Sequence, residues 1–289
     1  MPAPPAKDSI AGSGATPSNA QARAGFDALW ENLWGAAGLL GSTGLAADAR
    51  ARLGIGPVIS FRNRARNPNF VVNQRAKAGS VVLAAGVYGH DGWKAGAAGC
   101  SYTFAASGPD IVMTITAGSL VQPIEGNLIE GGDYAMSWFG TSQGKIGAGA
   151  AAATGVTATG VAANTNLSIE FGTGTLSRVQ FEPGLVPTPY ERRPLTFEEL
   201  LNRRYFQLVN VGARFLATTP GQATSTMVNL PVVMRATPTI ATFATGSASN
   251  AATFVYLAAT VRGFRCELNC STAGDSYVVD YTASASAEL

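Results

Sequence analysis

The chain has 289 residues, enough for two domains, and its 20 Lys and Arg nearly balance 18 Asp and Glu, leaving a formal charge of +2 that excludes a general field for nucleic acid. Charged residues make up only 13%, against roughly 25% in an average soluble domain, so part of the surface is expected to be covered by other subunits. Three cysteines do not make a disulfide framework, a single histidine (His90) excludes multi-His metal sites, and no apolar run approaches the ~18 residues that span a bilayer. No signal core is visible in MPAPPAKDS, so neither export nor membrane insertion is expected.

Residues 1–17 are rich in Pro, Ala, Gly and Ser and read as an extended arm. Ser18 and Gln21 form a capping-box pattern. Phe26, Leu29, Trp30 and Leu33 then recur at helical spacing, with Trp34 widening the stripe and Gly35 and Gly38 ending it. A helix of ~17 residues cannot build a core alone, so this stripe must pack on its own chain, on sister chains or on a mount. A second short helix is predicted over 45–53, with Gly54 as its stop. Together, 1–57 read as an N-terminal arm and helical anchor.

From residue 58 the period changes to short β-branched and aromatic runs split by Gly, Pro, Asn and Asp, which predicts an antiparallel sandwich over 58–194. Ile111, Met113 and Ile115 alternate with Val112, Thr114 and Thr116, and Trp93 and Trp138 are expected in the core. The Ala/Gly/Thr tract 144–165 reads as a strand pair with small side chains. Asp91 is expected to accept backbone N–H groups in a turn before Trp93. At the exit, Tyr190, Glu191, Arg192 and Arg193 form an inter-domain hinge, either pinned by a carboxylate–guanidinium pair among its own residues or solvated.

Thr196 and Glu199 make a second capping box, predicting a helix over about 197–205. The β pattern then returns, so 195–289 read as a short helix plus a second, smaller sandwich. Phe264, Cys266, Leu268 and Cys270 alternate onto one strand face as small apolar filler. Phe254 and Tyr256 share one strand face, and Tyr277 and Tyr281 share another. These four are the natural stacking platforms if a glycan is bound, although one pair must fill the core.

No Ser-His-Asp arrangement, phosphate loop or dinucleotide fingerprint is present, so no cofactor, no metal and no catalytic residue is expected. Asp110, Asp133, Glu170 and Glu182 are the acids a glycan depolymerase would draw on, but their spacing supports no pair.

Several motifs occur in a specific order. GLLGSTGLAADARARLGI (38–55) precedes RNPNFVVNQR (66–75) and YGHDGWK (88–94). QPIEGNL (122–128), YAMSWFG (134–140) and TPYERRP (188–194) follow, then LPVVMRATPTI (230–240) and the terminal SASAEL. In this order they resemble bacteriophage tail-fibre and receptor-binding proteins that carry a carbohydrate-binding-module-like jelly roll and a distal β domain. Two departures are Gly92, where that family has Arg, and the Ala/Gly tract in place of a more ordinary strand region.

The resemblance implies a mainly β homotrimer on the virion tail, assembled in the host cytoplasm. Phe26, Leu29, Trp30, Leu33 and Trp34 would dock on a tail baseplate or hub protein, and the β domains would contact host cell-surface polysaccharide, with 195–289 as the receptor-binding domain and the jelly roll as a spacer or sugar-binding module. The alternatives are a baseplate adaptor or head-vertex spike without receptor binding and, less in keeping with the residues, a glycan-depolymerising tailspike.

Overall fold

The computed structural model describes residues 29–32 and 61–289. Residues 29–32 are helical and Leu29 is exposed, while the expected anchor residues Phe26, Leu33 and Trp34 lie outside the described residues, as do the capping box at Ser18 and the helix over 45–53.

The chain is mainly β, in antiparallel sheets throughout. The first unit contains β1 (Val81–Leu83), β2 (Lys94–Ser107), β3 (Asp110–Ile124), β4 (Gly132–Phe139), β5 (Gly144–Ile146), β6 (Val156–Val161), β7 (Leu167–Phe171) and β8 (Gly174–Pro183). One layer runs β1-β2-β3-β7-β5 and the other β8-β4-β6. β8 belongs to both: Gly174–Leu176 pair with β3, and the strand then turns a corner and pairs with β4 from Ser177 onward. Strands that switch sheets through a bend are the usual way to close a sandwich corner.

The period-2 pattern fills this core as expected. Met113 and Ile115 point in from β3, and a chain of rings runs Phe70, Trp93, Phe171, Trp138 at centroid spacings of 5.0, 5.9 and 5.0 Å. Each buried indole N–H has an acceptor, Asn67 O for Trp93 and Ser142 O for Trp138, both at 3.0 Å. The Ala/Gly tract supplies two strands, β5 and β6, but not a strand pair: β5 pairs with β7 and β6 with β4, in different layers. Gly92 is required where it stands: its φ is +82°, and a Cβ would come within 2.9 Å of Arg66 Nε, so the guanidinium of Arg66 occupies that space.

The second unit starts with α1 (Leu195–Arg203) and continues through β9 (Phe206–Ala217), β10 (Ala223–Asn229), β11 (Thr239–Ala244), β12 (Ser247–Ser249), β13 (Ala251–Thr260), β14 (Gly263–Cys270) and β15 (Gly274–Ser286). Its sheets are β10-β14-β13 and a second in which β15 pairs with β9 on one side and with β11 and β12 on the other. Phe264, Cys266, Leu268 and Cys270 are all buried on one face of β14, and the cysteines are free.

The capping box at Thr196 does not form. Pro194 is the N-cap and makes no side-chain cap bond, but its carbonyl accepts from Phe197 N and Glu198 N. As an N-cap does, Pro194 keeps a non-helical backbone (φ −55°, ψ 142°) while its carbonyl accepts the first helical bonds.

The two sandwiches are tied by a polar seam. The carboxylate of Glu288 lies between Arg66 and Arg75, at 3.0 and 3.1 Å, and all three side chains are largely buried. Those guanidinium groups stack on Tyr205 and Phe206 at 3.6 and 3.7 Å. The Leu289 backbone oxygen accepts from Tyr88 Oη and Lys94 Nζ. Glu125, from the first unit, takes Tyr205 Oη at 2.7 Å and lies 3.3 to 3.4 Å from Arg204 and Arg235. Thus RNPNFVVNQR and SAEL, more than two hundred residues apart, meet across one interface.

Candidate functional site

A groove of about 600 Å³ lies on the first sandwich between the ends of β4 and β8 and the segment 188–192. Its floor follows from strand alternation. In β4, Tyr134, Met136 and Trp138 face the core, which turns Ser137 and Phe139 outward, and Phe139 is 57% exposed.

The corner of β8 supplies the groove's cation. The β4–β8 register shifts between Ser137 and Phe139, so Arg178 and Val179 together oppose Trp138 as a β-bulge. Arg178 takes φ +50°, the left-handed region that a glycine would occupy without strain. The bend aims its side chain over Phe139, with the guanidinium carbon 5.1 Å from the ring centroid. Arg178 Nε donates to Asp110 Oδ2 at 2.7 Å, and Arg192 Nη2 donates to Asp110 Oδ1 at 2.6 Å. Asp110 is buried at the start of β3. Burial alone would raise its pKa, but hydrogen bonds from Arg178, Arg192 and Asn69 outweigh this and hold it below the ordinary carboxylate value.

The far wall is fixed in place. Glu182 accepts from Thr188 N (2.6 Å) and Thr188 Oγ1 (2.7 Å), and Gln180 Oε1 accepts from Glu191 N at 3.0 Å. Tyr190 stands on this wall, half-buried and 5.7 Å from the Arg192 guanidinium. Burial pushes its phenol pKa up, and its hydroxyl has no hydrogen-bond partner among the described residues. Thr154, from the Ala/Gly tract, closes the groove by exchanging hydrogen bonds with the Trp138 backbone.

The hinge expectation needs correction. Glu191 pairs with neither Arg192 nor Arg193; its carboxylate accepts from Phe61 N and Asn63 N at 2.7 and 2.9 Å. Arg193 is buried against Glu198, Nε to Oε1 at 2.6 Å, and donates to the carbonyls of Asn63 and Ala65. Backbone groups of the segment 61–65 take the place of the neighbouring side chains as partners of Glu191 and Arg193, so the elbow is pinned to the first unit while Arg192 stays exposed.

Asp91 does accept a backbone N–H, but from Gln74, seventeen residues upstream, and not within its own turn.

The four distal aromatics are split. Phe254, Tyr256 and Tyr281 meet edge-on in one half-buried cluster that packs against Phe264, with centroids 5.6 to 5.8 Å apart. Tyr277 stands apart beside Arg214, 5.4 Å from its guanidinium. Tyr277 and Tyr281 do not share a face, because the β9–β15 register shifts between Val278 and Tyr281, with Asp280 at φ +60°. An extra residue in a strand reverses the parity of everything beyond it.

The four acids singled out from the sequence are each engaged separately. Asp110 takes two guanidinium groups, and Asp133 accepts Gly160 N. Glu170 takes Ser119 and Lys145, and Glu182 takes Thr188. Among the described residues no cluster of His, Cys, Asp and Glu is placed to hold a metal. No protein-family model, curated protein or solved structure matches this chain.

The groove therefore offers an exposed aromatic ring, a free phenol, two guanidinium groups and hydroxyl-bearing walls, all on a rigid frame. Such a set can stack the C–H face of a sugar ring and hydrogen-bond its oxygens. Phe139 and Arg178 were not singled out from the sequence. The signal for Phe139 was present in YAMSWFG, where an aromatic follows three inward-facing residues on the outward parity; nothing local marks Arg178 as the corner.

Proposed function

We propose that the chain is a glycan-binding host-recognition protein of a phage or phage-like particle, a tail fibre mounted through its N-terminal segment. The single observation that supports the reading best is the pre-built groove of Phe139, Tyr190, Arg178 and Arg192. A strained corner residue, held by a buried carboxylate beside an exposed ring, is an arrangement associated with binding sites. The sandwich core is already complete without Phe139, whose exposure serves no packing purpose.

On this reading the groove of the first sandwich contacts cell-surface polysaccharide, and the sparsely charged second sandwich is a surface for sister chains in a homotrimer. Leu216 and Met227, 73% and 66% exposed on β9 and β10, fit such a covered surface. Weak single-site affinity would be multiplied over three copies.

Two measurements test this. Labelled protein should adsorb to susceptible bacterial cells and be displaced by polysaccharide extracted from them, with Phe139→Ala reducing adsorption. Sedimentation should give the mass of three chains. Absence of adsorption to any strain, with the trimer intact, would favour an adaptor that only decorates the particle.

A further inference from the structure

We propose that the groove is selective for an acidic saccharide: a pyranose carrying a carboxylate, which the terminal nitrogens of Arg178 would receive while the sugar's C–H face lies on Phe139. This rests on the glycan-binding reading above and deepens it.

The charge count at the groove is the first support. Arg178 and Arg192 share one carboxylate, Asp110, so the cluster keeps one excess positive charge. Two neighbouring pairs are neutral in themselves. Arg193 is paired with Glu198, and Arg62 lies 3.5 Å from Glu182. Glu191 adds one negative charge, which accepts the backbone N–H groups of Phe61 and Asn63, so the excess positive charge is local to Arg178 and Arg192 and does not extend over the whole elbow.

The second support is donor geometry. Arg178 spends only Nε on Asp110, and its Nη1 and Nη2 have no acceptor among the described residues. A guanidinium fork held by its third nitrogen presents parallel N–H groups suited to a carboxylate. Arg192 differs: Nη2 goes to Asp110 and Nη1 to Pro109 O, so it braces Asp110 and has less to offer a ligand.

The third support is choice of residue. The β8 corner needs a positive φ, which glycine meets without strain, yet a long cationic side chain stands there. Its Nε joins Arg192 on Asp110, and the two terminal nitrogens beyond that bond serve no contact among the described residues.

The same feature supplies a clean variant. Arg178→Gly keeps the corner in its preferred conformation while removing the fork. The test is calorimetric titration of the full chain with uronate trisaccharides (galacturonate, glucuronate and mannuronate series) and with their neutral counterparts, in which each carboxylate is reduced to a hydroxymethyl group. At least one acidic probe is expected to bind about tenfold or more tightly than its neutral counterpart, the lower end for a hydrogen-bonded charge pair. Arg178→Gly should abolish that preference with its circular dichroism retained and its melting temperature lowered only modestly, since Arg192 still holds Asp110, whereas Phe139→Ala should weaken both members of the pair.

Equal affinity for acidic and neutral probes, or a preference that survives Arg178→Gly, overturns acid selectivity and leaves the glycan reading standing. Failure of every acidic and neutral probe to bind overturns both.

Discussion

The first sandwich closes over whole aromatic side chains, and the second does not. Trp93, Tyr102, Tyr134, Phe70, Phe171 and Phe181 are all under 2% exposed in the first, whereas the second has one ring so buried, Phe264, among aliphatic side chains (Met234, Leu268, Val278) and small ones (Ala283, Ala285, Cys266). Small side chains let two sheets approach without filling the space between them at their open edge, where Phe254, Tyr256 and Tyr281 remain half-buried. Strands β10, β11 and β12 are mostly exposed along their length. The first core thus closes over whole rings, the second leaves rings half-buried, and the seam around Glu288 joins the two. Such a division suits a molecule whose first sandwich presents a rigid groove and whose second meets neighbours.

The largest effect is expected in the first core. Trp93→Ala should lower the unfolding free energy by about 4 kcal/mol in urea denaturation, and Phe254→Ala by only about 1–2 kcal/mol. Equal losses would erase the contrast between the two units. Next comes the seam. Glu288→Ala strips the carboxylate from between Arg66 and Arg75 and should cost about 3 kcal/mol, since buried charges lose their partner. Calorimetry is then expected to resolve two transitions in the variant and one in the native chain; the same number of transitions in both would show that the seam does not couple the units.

A smaller effect concerns pH. Burial, and next the charge of Lys77, push the His90 pKa down from 6.5 to about 4. Burial raises neighbouring Asp91 from 3.8 to about 6, against the lowering effects of Arg75 and Gln74. Between pH 6.5 and about 4 the unfolded chain binds the His90 proton and the folded chain does not, so that contribution falls as pH falls. Between about 6 and 3.8 the folded chain holds the Asp91 proton and the unfolded chain does not, so that contribution rises as pH falls. The two oppose each other in the native protein. His90→Gln removes the first, so its melting temperature relative to the native chain should rise on going from pH 7 to pH 5; a constant difference would falsify the assignment.

Smallest of all, Met227→Lys on exposed β10 should change the unfolding free energy of the dilute chain by less than about 0.5 kcal/mol. It should nonetheless lower the sedimentation coefficient at high concentration if the second sandwich is where chains meet.

Much of the fold was legible because period-2 alternation is a local property. The buried face of β14, the inward side chains of β3 and the core tryptophans all followed from it. The candidate site was legible only in fragments. TPYERRP stood out as a junction, but the partners of its charges lie at Asp110, Glu198 and the backbone of Phe61 and Asn63. The distal aromatics were legible as strand residues, yet the bulge at Asp280 set Tyr277 and Tyr281 on opposite faces.

The amino-acid order by itself determined the β character and, in strands without a bulge such as β14, which face is buried, because both depend on neighbours two residues apart. Only the tertiary structure decided where the strands bend and which distant charges meet. A corner such as Arg178 exists because β8 must leave one sheet for the other, and a salt bridge such as Arg66–Glu288 forms only when folding brings together chain segments that carry no local sign of each other.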